Sequence, residues 1–340
     1  MSKTKKIILT LAIALVVIGA AAYLCFRMYA YEAYSGSEKV TVVIPKDASE
    51  TQIADTLKTS MGAFGEKVYS LWSLRHGKAA KAAGVYFFNP GEKAWDIAGQ
   101  IKLGRSSIQK ITFNNVRFMP DMAKKVAKNF SWSEDDFLAA CDSILPGAGF
   151  KKEEYQAAFI PDTYQVFASA EPADVVNKLL EYRNKFWNEE RTAKAKKLGL
   201  TPVEVATVAS IVEEESHNAA EQPTIARLYL NRIHKGMRLQ ADPTVKFALG
   251  DFTIKRILNR HLTIDSPYNT YENEGLPPGP IRMPERQTLE FVLDAPENDY
   301  LYMCAKPQLD GTHNFTSSDA EHLRNARAYQ AALDSLKIKR

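Results

Sequence analysis

Cysteine is almost missing: three residues among 340, at positions 25, 141 and 304. Such scarcity excludes a disulfide-built scaffold, and without a Cys-x-x-Cys pair it also excludes a zinc ribbon or a thioredoxin-type redox site. His-Glu-x-x-His is absent and the six histidines are scattered, so no pattern calls for a metal or any other cofactor. Charge of one sign is lacking too. The 44 basic and 40 acidic residues leave +4, with no long block of like charge, and nucleic acid is not implied as a partner. Neither a low-complexity tract nor an internal repeat is present, while 45% apolar residues over this length suffice for the cores of two ordinary domains.

Long hydrophobic runs are also lacking, with one exception. Ile7 to Phe26 is uncharged and follows Lys3, Lys5 and Lys6. About 20 such residues span a bilayer, and lysines before the span place the N-terminus inside and the rest of the chain outside. A cleaved signal peptide competes, with Ile7 to Ile18 as its apolar core and Ala20-Ala21-Ala22 as its small-residue site. Tyr23-Leu24-Cys25-Phe26 prolongs the run beyond a normal signal core, which favours an anchor, and Leu24 is too bulky for a lipoprotein site at Cys25. Cys141 and Cys304 then remain as candidates for a bridge in an oxidising compartment, although lone cysteines in separate regions are more often unpaired.

Past a polar and aromatic connector, the pattern predicts an α+β chain. Val40–Ile44 and Gly84–Phe88 read as strands, each followed by a helix, one from near Ser49 and one over 93–103. Ser107–Phe113 is a further strand, with a helix from about Pro120 and another within 131–149 capped by Ser131 or Ser133. Phe159–Phe167 is dense in aromatics and breakers and reads as a functional loop or a tight connection. A solvated helical segment covers 170–198, and Pro223–His234 continues helically. Leu239–Val245, Ser266–Tyr271 and Gly275–Ile281 read as rigid loops, because proline fixes φ and glycine supplies unusual angles. Tyr268, Asn269 and Tyr271 on such loops suit carbohydrate: aromatic faces stack on sugar CH surfaces, and amides and hydroxyls bond ring substituents. Tyr300–Met303 is a late strand, 311–316 a loop or strand, and 318–336 a final helix.

The most informative stretch is Thr201 to Ser216. Thr201 is a plausible N-cap, Pro202 fits the first helical position, and Glu204 completes a Thr-x-x-Glu capping box. At about 100° per residue the apolar stripe runs through Val205, Val208, Ala209 and Val212, and its continuation falls on Glu215 and Ser216. Glu214 is expected to point to solvent, and Glu213 to lie on the other flank. Burial disfavours the charged form of a carboxyl and raises its pKa towards the working pH of a general acid, so the wheel favours Glu215 as that acid, with Glu213 as a possible supporting acid. A solvated face is the ordinary reading of a Glu run.

Taken in order, Ala209-Ser-Ile-Val-Glu-Glu-Glu-Ser216, Asn231-Arg232, Gly236-Met-Arg-Leu-Gln-Ala-Asp-Pro-Thr-Val245, Ser266-Pro-Tyr-Asn-Thr-Tyr271, Gly275-Leu-Pro-Pro-Gly-Pro-Ile281, Tyr300-Leu-Tyr302 and His313-x-Phe315 closely resemble the endolytic murein transglycosylase family, also called MltG or YceG-like. The resemblance implies a membrane-anchored enzyme that cuts the MurNAc-β-1,4-GlcNAc bond of nascent peptidoglycan and leaves a 1,6-anhydroMurNAc end. Its catalytic Glu, the second acid of a Val-Glu-x-Glu motif, lands on Glu215. Gln240, Asp242, Thr244, Tyr268, Asn269, Thr270, Tyr271 and His313 are the candidates for orienting the glycan. The implied architecture is a tail (1–6), a transmembrane helix (7–27), a linker (28–39), a small LysM-like α+β subdomain (40–105), a connecting region (106–165) and a mixed α+β catalytic domain with the acid on a helix (166–340). Implied partners are glycan strands, the cytoplasmic membrane and peptidoglycan synthases. The chain departs from the family at Ile160 and at Gln156-Ala157, where a Glu-Gly pair is common. Two other readings compete: a hydrolytic muramidase using Asp242 or Asp162 as second carboxylate, and a noncatalytic peptidoglycan-binding scaffold.

Overall fold

The computed structural model describes residues 2–254 and 257–335. The chain is α+β, with short sheets and many helices, and divides into two compact units: residues 1–109 with 165–170, and residues 110–164 with 171–340.

The first unit begins with α1 (Lys3–Ala30), which is long and apolar enough to cross a membrane, with a mean hydropathy of 2.7 in its most apolar window. Next come β1 (Val40–Ile44), α2 (Glu50–Met61), α3 (Ala63–Leu74), α4 (Ala79–Ala82), β2 (Gly84–Phe88) and α5 (Ala94–Lys102). Strands β1 and β2 pair antiparallel, Val42 opposite Tyr86. Alternation along β1 and β2 turns Val42, Ile44, Tyr86 and Phe88 into a core shared with Ile53, Leu57, Leu71, Trp72 and Ile97. Each such large side chain contributes about 1.5–3 kcal/mol by leaving water. Helix α2 starts where expected, and Ser49 caps it in a full capping box with Gln52. Gly65 is required where α3 crosses α2, because a Cβ there would lie 1.9 Å from the Leu57 carbonyl oxygen.

Strand β3 (Ile108–Phe113) and strand β4 (Asp162–Phe167) pair in a two-stranded sheet, and the division between the units falls within both. Residues 159–167, read from sequence as a loop or tight connection, are therefore strand from Asp162 onward. Pro161 stands just before β4, where its missing N–H interrupts no ladder, and Asp-Thr-Tyr-Gln-Val-Phe then alternates regularly.

In the second unit α6 (Met119–Ala127), α7 (Glu134–Ile144), a 3-10 turn (Lys152–Ala158), α8 (Pro172–Phe186), α9 (Glu189–Lys197), α10 (Pro202–Glu215), α11 (Gln222–His234), α12 (Asp242–Leu249) and α13 (Arg286–Leu293) precede the antiparallel pair β5 (Tyr302–Ala305) and β6 (His313–Thr316) and the closing α14 (Asp319–Ser335). Position 336 of the expected final helix lies outside the described residues. Five helices start with proline in the first turn, where no backbone donor is lost. That habit corrects the reading of 239–245 as loop throughout: Asp242-Pro243 opens α12, so a proline taken as a loop marker is a helix starter. The single solvated segment at 170–198 is likewise two helices, parted where Asn188 caps α9 by accepting from the Arg191 N–H.

Helix α10 is the axis of this unit. Its predicted capping box is present, with Glu204 accepting from the Thr201 N–H at 2.7 Å and Thr201 from the Glu204 N–H at 3.2 Å. Every residue from Val205 to Glu213 is buried, because α9, α11, α12, α13 and the 3-10 turn all pack against it. A helix so enclosed delivers its last turn to a fixed place.

Candidate active site

Glu215 ends α10, and Ser216 turns the chain away in an extended conformation. The Glu215 carboxyl lines a cleft of about 480 Å³ whose wall includes Tyr229 and Arg232 from α11, Gln240 and Asp242 at the start of α12, Tyr271, Tyr302 to Ala305 of β5, His313 of β6, and Asp319 and His322 of α14. The cleft wall is mainly polar, with several groups able to bond sugar hydroxyls.

Burial pushes the Glu215 carboxyl up to about 7. Opposing it, the Tyr229 hydroxyl donates to Glu215 Oε1 at 2.6 Å, while the negative charge of Asp242 adds to the rise, Lys246 offsets it and Glu214 adds to it again. The last turn of a helix is also the negative end of its dipole, which disfavours a carboxylate. The carboxyl is thus held half protonated near neutrality. With Oε1 accepting from Tyr229, Oε2 is the oxygen left free to carry the proton.

The neighbouring acids differ in kind. Glu213 is buried and does not line the cleft; it pairs with Arg282 at 3.0 Å and accepts from the Glu285 N–H at 2.8 Å. Burial raises its pKa and the Arg282 charge opposes that rise. Glu214, expected to face solvent, instead accepts from Arg117 Nη2 through both oxygens, at 2.6 and 2.7 Å, and from Arg282 Nη1 at 2.8 Å. The helical wheel places Glu214 off the apolar stripe correctly, but two arginines distant in sequence cover that side. Both carboxylates clamp the end of α10 immediately before Glu215.

The loop residues sort into two groups. Gln240, Asp242, Tyr271 and His313 line the cleft together with Glu215. Asp242 accepts from the Tyr271 hydroxyl at 2.7 Å, and His313 is held by Glu221, which takes its backbone N–H at 2.9 Å and lies 3.0 Å from Nδ1. Thr244, Asn269 and Thr270, expected to orient the glycan, are fully buried and do not line the cleft. Thr244 Oγ1 donates to Ala241 O and meets Thr270 Oγ1, Thr270 Oγ1 accepts from the Ala241 N–H, and Asn269 Nδ2 donates to Leu262 O and Ile264 O. Short polar side chains satisfy the backbone of these irregular loops. Tyr268 does not line the cleft; it packs on Phe247 with ring centroids 4.7 Å apart. Asp162 also lies elsewhere, bound to the Tyr182 hydroxyl at 2.9 Å. Gly279 seats the 275–281 loop on the 3-10 turn, since a Cβ there would stand 1.9 Å from Glu153 O. Cys141 and Cys304 are free thiols, the second on the cleft wall.

Tyr229, Arg232, Arg282 and Arg117 carry much of this geometry and sequence reasoning assigned them no role. The available signal was the three-residue spacing of Tyr229 and Arg232, which puts both on one face of α11.

Fold and site together define an α+β protein with one desolvated carboxylic acid set in a polar cleft of about 480 Å³. The chain belongs to the YceG-like family, whose model matches residues 42–328. It is 29% identical over 309 residues to the endolytic murein transglycosylase of Bacillus subtilis strain 168, covering 85% of this chain and 84% of that protein. Over 184 residues it is 29% identical to the endolytic murein transglycosylase of Streptococcus pneumoniae serotype 2 strain D39, covering 53% of this chain and 32% of that longer protein. The crystal structure of a yceG-like protein from Listeria monocytogenes is similar with a TM-score of 0.53 at 25% identity, covering 85% of this chain and 99% of that one.

Proposed function

We propose that this protein is a membrane-anchored endolytic peptidoglycan lytic transglycosylase that cuts the MurNAc-β-1,4-GlcNAc bond of nascent strands, with Glu215 as its acid. The observation that supports this most is the single cleft carboxyl raised to about 7 in a chain whose relatives bear that activity in their names. Protonated Glu215 gives its proton to the glycosidic oxygen as the bond to C1 breaks and C1 gains oxocarbenium character. The resulting carboxylate, stabilised by the Tyr229 hydroxyl, takes the proton of the muramoyl C6 hydroxyl as that oxygen bonds to C1. The acid is restored and no water is consumed. A nucleophile tethered within the same sugar has the entropic advantage of an intramolecular reaction, which is how one carboxyl serves where hydrolases need two. Asp242, Tyr271, Gln240 and His313 orient the strand, and the neighbouring N-acetyl group assists at C1.

Helix α1 anchors the chain in the cytoplasmic membrane with its lysine-bearing end inside, so the cleft works outside on strands leaving the synthases and terminates their elongation. The β1–α2–α3–β2 unit serves as the LysM-like glycan grip. Asp242 in the same cleft favours one rival, a hydrolytic muramidase in which it activates water. Glu215→Gln tests the acid: it should lower cleavage by about 10²–10⁴-fold while leaving folding and glycan binding intact. Near wild-type cleavage by that folded variant would sink the proposal.

A further inference from the structure

Among the described cleft residues, Gln240 is the single non-glycine with a left-handed backbone, φ 52°. A residue bearing a Cβ holds that conformation only where its surroundings impose it. Here two hydrogen bonds do so: the Gln240 N–H donates to Thr270 O at 3.1 Å, and the following Ala241 N–H to Thr270 Oγ1 at 3.0 Å. The effect is to bring an exposed glutamine side chain onto the cleft wall, close to a buried arginine.

Arg232 fixes which end of that amide is free. Its Nε donates to Arg238 O and its Nη1 to Leu301 O, both at 2.9 Å, and its Nη2 donates to the Gln240 side chain at 2.7 Å. A guanidinium has only donors, so the atom it meets must be the amide oxygen, Oε1. Nε2, with its two N–H groups, has no protein acceptor among the described residues. The buried cation polarises the amide it touches and makes those N–H groups stronger donors. A free-rotating hydroxyl in the substrate would accept either orientation of an amide. A fixed donor discriminates in favour of an oxygen that can only accept, and on the sugars of a peptide-free glycan the strong neutral acceptor of that kind is the carbonyl of a 2-acetamido group.

We infer that Gln240 is a specificity-determining residue of the cleft, its locked amide donating to a substrate acetamido carbonyl while Arg232 holds it in that sense. The inference rests on the glycan-cleaving reading above and names the sugar substituent that the site selects.

The test uses the peptide-free tetrasaccharide of alternating GlcNAc and MurNAc and its de-N-acetylated form, with binding measured by calorimetry on full-length Glu215→Gln protein in detergent. Gln240→Glu preserves an acceptor for Arg232 and removes the donor, and Gln240→Leu removes both; melting temperatures confirm that each double variant is folded. With Gln240 present, de-N-acetylation should weaken binding about tenfold or more, the worth of one hydrogen bond to a polarised donor. Both Gln240 variants should bind the acetylated tetrasaccharide about tenfold more weakly and lose most of that preference. A merely structural role would weaken both ligands alike, so an acetyl preference of the same size with and without Gln240 overturns the inference. Turnover by the Glu215→Gln protein would instead overturn the acid assignment, and the same ratios, read then as KM, still decide the role of Gln240.

Discussion

Tyr229→Phe tests how the acid is tuned. The hydroxyl donates to Glu215 Oε1 at 2.6 Å from a buried ring, and a donor favours the ionised carboxyl, so it opposes the burial that lifts Glu215 to about 7. A hydrogen bond to a charged group contributes about 1.5–3 kcal/mol, and one pKa unit corresponds to about 1.4 kcal/mol. Losing the hydroxyl should therefore move Glu215 to about 8 or 9. On the proposed mechanism the protonated acid is the active form, so the alkaline limb of kcat/KM against pH should shift upward by about one to two pH units, while the maximal kcat falls as the carboxylate formed on proton transfer loses a donor. Stability has the opposite sign. The folded protein holds the Glu215 proton more tightly than the unfolded chain, so this group's contribution is full below its ordinary value of 4.5 and is lost as pH rises through about 7. In the variant that loss continues to higher pH, and urea unfolding should separate it from wild type most above about pH 9, by about 1.5–3 kcal/mol. An alkaline limb that stays in place or moves down would refute the reasoning.

Asp242→Asn removes a negative charge that helps keep Glu215 protonated but retains an acceptor for the Tyr271 hydroxyl, so the alkaline limb should move to lower pH; an upward move would contradict the assigned electrostatics. Arg282→Ala leaves Glu213 and Glu214 without their shared buried cation and should destabilise the protein by about 3–5 kcal/mol in denaturant titrations. Removing residues before Tyr29 should give a protein soluble without detergent that still cuts glycan strands in vitro; a need for detergent after truncation would mean that α1 is not the membrane-binding element.

Local rules explain why so much of the acid's helix is legible in the sequence. The Thr201–Glu204 box and Pro202 define its start, and the 3.6-residue period singles out Glu215 from three consecutive acids. What periodicity cannot show is enclosure. Helix α10 is buried on all sides, so Glu213 and Glu214 are not a solvated flank but are bound by Arg282 and Arg117, which arrive from 68 and 97 positions away. The same blindness applies to Tyr229, which nothing in the helical pattern of 223–234 distinguishes and whose hydroxyl meets Glu215 Oε1 only in the folded chain. Short polar side chains bond inward as well: Thr244 and Thr270 bond each other and the Ala241 backbone, and Asn269 bonds the carbonyls of Leu262 and Ile264. Pro243 and Pro161 mislead as breakers, since first helical turns and strand entries tolerate proline as well as loops do.

Mass spectrometry of the fragments released from uncrosslinked glycan strands bears most directly on one-acid, water-free cleavage at Glu215. The account predicts 1,6-anhydromuramoyl ends on fragments cut from strand interiors, all of them lost in Glu215→Gln. Reducing muramic acid ends, carrying oxygen from labelled water, would contradict it and assign the cleft to a hydrolase with Asp242 as the second carboxylate.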